Sequence, residues 1–444
     1  MEKSEPKVPK SGTKDRAQHK KQARSRFRLR RFSPVLRLLA ILGPGLIAAN
    51  AGNDAGGVAT YSSAGASYGY NLLWALAITT VFVAVSQEMC ARMGTVTGKG
   101  LADLIREQFG VRWTVLAMLA LLVANTGVTI SEFIGVAASV QVLANDPHTP
   151  LIYLVVPLSG LALWWLITRG TYRRVEKVFL IISLGFLAYI PAAFAAHPNW
   201  QMVGKQLIFP QLNIDANYWP TTAALVGTTL SPYMLFYIQS AVADKGIRPD
   251  EYVYEQVDVY SSTIFSNIIS AFMIIATGAT LFVAHHAVTT AADAAFALRA
   301  FAGPYASLLF GLGLFGASLL AGAVLPLTTA YAICEAFGFE RGVSRSFREA
   351  PIFQSIFTGL IVLGVIVSLI PGLPFIQVLI ALQNVNAAMM PILLVFIILL
   401  VNNRRLMGRR TNKPGFNILA WITTISITVL VILWLLNVFF GFAL

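Results

Sequence analysis

The sequence predicts an all-α integral membrane protein of eleven transmembrane helices, the first and the sixth of them broken in mid-membrane. Three observations predict it. Hydrophobic residues make up 56% of the chain and mean hydropathy is +0.68, while charged residues fall to 12%, against about 25% in soluble domains. Apolar stretches of spanning length, about 20 residues each, recur throughout. The stretch Ala51-Gly52-Asn53-Asp54-Ala55-Gly56-Gly57 sets a carboxylate among glycines inside the first of them.

The elements follow in order. Residues 1–34 are polar and strongly basic, ending in Arg24-Ser25-Arg26-Phe27-Arg28-Leu29-Arg30-Arg31, with no short apolar core and cleavage site of a signal peptide. They read as a disordered cytoplasmic tail held to anionic headgroups; the net charge of +13 is concentrated there and in loops, so nucleic acid is not an expected partner. The transporter-like core, 35–401, holds apolar stretches at 36–62, 71–92, 113–143, 151–168, 176–196, 219–242, 260–285, 304–335, 351–370 and 376–401. A loop and a peripheral eleventh helix, 416–440, fill residues 402–444. Lys and Arg gather in alternate loops: Lys99, Arg106 and Arg112; Arg169, Arg173, Arg174 and Lys177; Arg341, Arg345 and Arg348; Arg404, Arg405, Arg409, Arg410 and Lys413. The positive-inside rule then puts the N-terminus in the cytoplasm and the C-terminus outside. The mixed loop from Asp244 to Asp258 fits the inside only weakly.

Two of these stretches are interrupted. A carboxylate at a helix centre costs roughly 2.5–3.5 kcal/mol on insertion scales, so Asp54 needs a partner. Backbone freed by the flanking glycines is tolerated in a membrane only where it faces protein or water. The sixth stretch breaks at Gly227-Thr228-Thr229-Leu230-Ser231-Pro232, where proline removes a backbone donor. Paired breaks in the first and sixth helices are what a five-plus-five inverted repeat predicts, with the ion site between them. Cys90 and Cys334 have neither disulfide nor metal-ligand spacing and read as buried thiols. No cluster of His, Cys and acids stands at catalytic spacing, so an enzyme is not expected. The Glu88–Arg92 pair, one turn apart, reads as structural, with an inner-gate role as the alternative, and Asn125 and Thr126 read as packing contacts.

Gly43-Pro44-Gly45-Leu46, Gly69-Tyr70-Asn71-Leu72-Leu73-Trp74 and Ala91-Arg92-Met93-Gly94-Thr95-Val96-Thr97-Gly98-Lys99 resemble the NRAMP family of divalent metal transporters, from about residue 36 through the tenth stretch. The resemblance implies a LeuT-like fold, with metal held between the unwound parts of the first and sixth helices by Asp54 and by backbone carbonyls that map to Ala51 and Thr228. The chain departs from the family where its metal ligands stand. Asp-Pro-Gly-Asn reads Asp54-Ala55-Gly56-Gly57, so the asparagine ligand position is Gly57. Met-Pro-His reads Ser231-Pro232-Tyr233, so thioether and imidazole are both gone. Gln377, in Phe375-Ile376-Gln377-Val378-Leu379, matches the family's tenth-helix glutamine, and the polar run Gln383, Asn384, Asn386 follows it. Glu132 matches the third-helix acid that the family links to proton movement.

Removing a soft sulfur and adding a hydroxyl leaves an all-oxygen site suited to hard cations. Mg²⁺ keeps several waters around one or two carboxylates, which fits one acid and extra room; the pattern resembles the divergent branch of NRAMP-related magnesium transporters. Tyr233, a phenol with a reference pKa of about 10, is not expected to exchange protons at neutral pH. The expected function is import of a divalent cation, Mg²⁺ before Mn²⁺, by alternating access in a monomer without proton coupling or a resident cofactor. A proton-coupled Mn²⁺/Fe²⁺ carrier and a LeuT-like carrier of an organic cation, its ammonium group on Asp54, are the alternatives.

Overall fold

The computed structural model describes residues 53–169, 178–179, 181–211, 215, 217–247, 252–343 and 345–440. The basic tail, the first stretch as far as Gly52 and the Ala51 carbonyl expected as a ligand lie outside the described residues. In chain order the helices are α1 (Ala55–Tyr68), α2 (Leu73–Thr97), α3 (Leu101–Ala144), α4 (Ile152–Thr168), α5 (Tyr189–Ala195), α6 (Trp200–Ile208), α7 (Tyr218–Thr229), α8 (Pro232–Lys245), α9 (Tyr252–Thr277), α10 (Ala291–Phe296), α11 (Arg299–Ala302), α12 (Ala306–Phe337), α13 (Pro351–Ser368), α14 (Phe375–Val401), α15 (Arg404–Met407) and α16 (Pro414–Phe440). Among the described residues, seven helical runs are long and apolar enough to cross a membrane: α2, α3, α9 with the π-helical turn after it, α11–α12, α13, α14 and α16. The other expected spans are shorter or interrupted. Of the first stretch, the described residues show α1 from Ala55 onward, the part before Asn53 lying outside them, and α4 has 17 residues. The helical run Ile181–Ala195 meets α6 at a bend of 114°. The sixth span is α7 and α8, parted at Leu230 and Ser231, whose backbones are extended.

Two helices begin earlier than the apolar pattern predicts. α3 starts at Leu101 rather than 113, because Leu101, Ala102, Leu104 and Ile105 are buried before the chain bends at Gly110; the φ of 76° there is one that glycine adopts readily. α9 starts at Tyr252 rather than 260, so much of the expected loop from Asp244 to Asp258 is helix. Of the charges there, Glu255 and Asp258 are buried, and Glu255 meets Lys245 at 3.5 Å.

α3 and α12 pack along much of their length, and α14 lies against both α3 and α7. Into this frame α1 is wedged, touching α3, α7, α9 and α14, which sets its first residue deep in the protein. In lipid no hydrophobic force draws helices together, so small residues that permit close approach do the work. A Cβ added at Gly227 would lie 2.1 Å from the backbone oxygen of Gln383 and 2.9 Å from the Ala387 Cβ. On the outside, α13 and α16 expose Val362, Ile366, Ile418, Ile425 and Val438, the aliphatic surface that a bilayer covers.

Gly227→Val should lower the unfolding temperature of the detergent-purified protein by the equivalent of roughly 1–3 kcal/mol, the usual effect of overpacking. Gly204→Ala, at a position in α6 where an added Cβ meets nothing within 4 Å, should leave it unchanged or slightly raised.

Candidate functional site

α1 begins where the carboxylate is. Asp54 has extended backbone (φ −72°, ψ 179°) and caps the helix, its Oδ1 accepting from the Gly57 N–H at 2.7 Å. A short acidic side chain at the N-cap answers one of the amides that a helix start leaves unpaired. Gly57, expected as a ligand position, supplies that amide and no side chain. The next amide, Ala55 N–H, points to Glu132 Oε2 of α3 at 3.4 Å, and Ser131 Oγ donates to Glu132 Oε1 at 3.4 Å. Two buried carboxylates therefore share one helix N-terminus, a position whose partial positive charge favours anions.

Thr228 comes from the end of α7, its Oγ1 3.5 Å from Asp54 Oδ1. Asp54 Oδ2 is buried and receives no hydrogen bond. Neither Asp54 nor Glu132 forms an ion pair with Lys, Arg or His among the described residues. The site is thus a fully buried acid with one oxygen answered by protein and one left over.

The break between α7 and α8 is held from α14. Asn386 Nδ2 donates to Gly227 O at 2.7 Å and to Ser231 Oγ at 2.8 Å, and Ser231 Oγ donates to Gly227 O at 3.1 Å. Ser231 is therefore buried at the break with its hydroxyl already engaged on both sides. On the other flank, Asn53 joins α9 through Ser270 Oγ (3.1 Å) and Ser266 Oγ (3.4 Å), and Tyr61 OH meets Thr229 Oγ1 at 2.9 Å. Tyr233 is buried in α8 among Val128, Ala321 and Leu325. Met234 turns its sulfur toward Gln87 Nε2, 4.0 Å away.

The structure separates the two glutamines of α14. Gln377 is exposed in the first turn of the helix. Gln383 lies about 9 Å further along it, is fully buried, and presses its amide against Gly56, where an added Cβ would lie 1.8 Å from Nε2. That nitrogen has no partner. Gln383 is the α14 amide that the fold brings beside α1, while Gln377 lies exposed. The signal was depth: Gln377 stands two residues inside the helix start at Phe375, whereas Gln383, Asn384 and Asn386 interrupt its apolar middle.

Residues 45–437 match the family model described as Nramp, natural resistance-associated macrophage protein-like. The chain belongs to this family. Among its relatives, the divalent metal cation transporter MntH of Deinococcus radiodurans is 26% identical over 413 residues, covering 89% of each chain. MntH of Bacillus subtilis is 27% identical over 411 residues, covering 90% of this chain and 92% of its own. In fold, this Nramp chain superposes on the Eremococcus coleocola manganese transporter with a TM-score of 0.68 at 19% identity, covering 92% of this chain and 90% of that one. It also superposes on MhsT, solved with L-phenylalanine, with a TM-score of 0.56 at 16% identity, covering 88% and 97%. These likenesses establish the LeuT-type arrangement of a multi-pass membrane transporter.

Asn386→Ala removes the donor that Gly227 O and Ser231 Oγ share and leaves only the Ser231–Gly227 bond across the break, at a net loss of about 1 kcal/mol per hydrogen bond. Divalent-cation binding should weaken by about tenfold when measured by calorimetry on purified protein, and Asn386→Asp should not restore it, because a carboxylate cannot donate.

Proposed function

We propose that this Nramp protein imports divalent cations by alternating access, taking Mg²⁺ in preference and accepting Mn²⁺, without proton coupling. One observation carries the reading: Asp54 Oδ2 is buried and, among the described residues, has no hydrogen-bond donor and no cationic side chain paired with it. A buried ionised carboxylate without a partner is strongly unfavourable, and a cation is what completes it. The relatives' name as divalent metal cation transporters supports the charge and class of that cation.

The donor set supports the order of preference. Asp54, Thr228 Oγ1 and the amide of Gln383 are hard oxygen or oxygen-bearing groups, with Ser231 in place of a thioether; the nearby Met234 sulfur faces Gln87. Oxygen donors suit Mg²⁺ and also accept Mn²⁺. Gly57 adds no side-chain ligand where the family has an asparagine, which favours an ion that keeps several of its waters, as Mg²⁺ does. Tyr233 in place of an imidazole supports transport without proton exchange, and Glu132 is tied to the α1 amide and Ser131. The membrane potential suffices as a driving force, at about 2.3 kcal/mol per charge per 100 mV with the inside negative. The orientation that fits is N-terminus in the cytoplasm and C-terminus outside, as the loop charges indicate.

Asp54→Ala should abolish Mg²⁺ and Mn²⁺ uptake into proteoliposomes while the protein keeps its elution profile and melting temperature; retained uptake sinks the site. Ser231→Met should shift preference from Mg²⁺ toward Mn²⁺ and Cd²⁺ in a competition assay, and an unchanged order would count against the ligand-softness argument. Luminal pH recorded during Mg²⁺ uptake should stay flat when the voltage is clamped, whereas acidification in step with metal entry would mean proton coupling.

A further inference from the structure

A column of buried polar contacts leads away from the site between α9 and α2. Its first rung is Asn53 with Ser270 and Ser266. Its second is Thr263 Oγ1 donating to Gln87 Oε1 at 3.2 Å. Its third is Glu88 Oε1, which accepts from Gln256 Nε2 at 3.3 Å and from the Tyr252 hydroxyl. From Ser266 to Tyr252 the rungs cover about 21 Å of helix, and apart from Gln256 the side chains that form them are buried. The column ends at the buried acid Glu88; Glu255 of α9, also buried, pairs with Lys245 through Oε1 at 3.5 Å, and among the described residues its Oε2 has no hydrogen-bond partner.

That end is strapped shut. Arg92 meets Glu88 Oε2 at 3.0 Å, donates to the Arg410 carbonyl at 3.2 Å and to Asn412 Oδ1, and stacks on Phe416 with 5.3 Å to the ring centroid. The Arg410 guanidinium lies 5.4 Å from the centroid of the Tyr252 ring. The segment between α15 and α16 thus crosses the end of the α2–α9 seam and holds both of its sides.

We propose that the α2–α9 column is the route by which a hydrated divalent cation leaves the Asp54 site for the cytoplasm, and that Glu88, Arg92, Tyr252 and the 408–413 segment are the latch that closes it. Interhelical hydrogen bonds alone would explain isolated rungs. They do not explain a series that starts beside the site, reaches a carboxylate at its far end, and is covered there by contacts from a different part of the chain. An ion keeping its water needs hydroxyls and amides along its path, and Glu88, once released by Arg92, is an acid at the exit that draws it onward. Glu88 and Tyr252 are positioning residues in this scheme, acting by holding the seam closed. The inference rests on the transport reading, not on which metal is carried.

The test is a thiol placed on the middle rung. Thr263→Cys, with Cys90 and Cys334 replaced by alanine, is reconstituted and exposed on its cytoplasmic side to a membrane-impermeant maleimide. Tyr252→Phe or Asn412→Ala should raise the labelling rate by about tenfold, the shift expected when a hydrogen bond holding the closed state is lost. A Thr328→Cys reporter, buried in α12, should label at its original rate. Unchanged labelling at Thr263→Cys in both variants overturns the latch, and so does an equal rise at Thr328→Cys, which would mean general loosening. A chain that proves to carry another solute would still show the selective rise, so failure of the metal assignment and failure of the latch are told apart.

Discussion

The arrangement depends on a carboxylate that the protein only half satisfies. Capping by Asp54 contributes on the order of 1 kcal/mol to α1, and the helix dipole adds a comparable amount at most. Burying an ion is unfavourable by several kcal/mol even after the surroundings relax. The cap therefore orients the side chain without neutralising it. Oδ1 is held by Gly57 and approached by Thr228, Oδ2 has no partner among the described residues, and the proposed cation site rests on that difference between the two oxygens.

Everything around that acid keeps its position without quenching its charge. Asn386 spans the α7–α8 break, and Asn53 fastens the start of α1 to α9. Both are neutral amides, able to fix backbone and hydroxyl groups while adding no counter-ion. Glycines do the complementary work: Gly56 admits the Gln383 amide and Gly227 admits the backbone of α14. A larger residue at either position would push away the elements that define the site.

Charge is kept apart from this centre. Among the described residues the ion pairs stand toward the helix ends and loops: Glu88 with Arg92, Lys99 with Glu107, Lys245 with Glu255, Glu335 with Arg341 and Glu340 with Arg345 toward one face, and His286 with Asp293 toward the other. Salt bridges at the periphery can close and reopen without disturbing the ion's own ligands. A basic residue inside would compete with the cargo. The pairing that would have removed Asp54 from ion binding, a buried arginine, is absent among the described residues.

Much of this was legible in the chain itself. Apolar runs of spanning length located the helices, because lipid demands that backbone groups be satisfied within each segment. The glycine-flanked Asp54 marked the start of α1 and the Ser231-Pro232 step the parting of α7 from α8, although Pro157, Pro326 and Pro391 stand inside continuous helices, so proline alone was no sufficient sign. The beginnings of α3 and α9 were hidden, since Leu101–Ile105 and Glu255 are buried by neighbours distant in sequence and not by their own periodicity. The choice between Gln377 and Gln383 was likewise a question of depth against α1. Local chemistry, read in order, pointed to the spans, the sixth-helix break and the buried acid; which amide lies against α1, which one holds the α7–α8 break, and which loop straps α2 to α9, were decided only by packing, because those contacts join residues more than 150 positions apart.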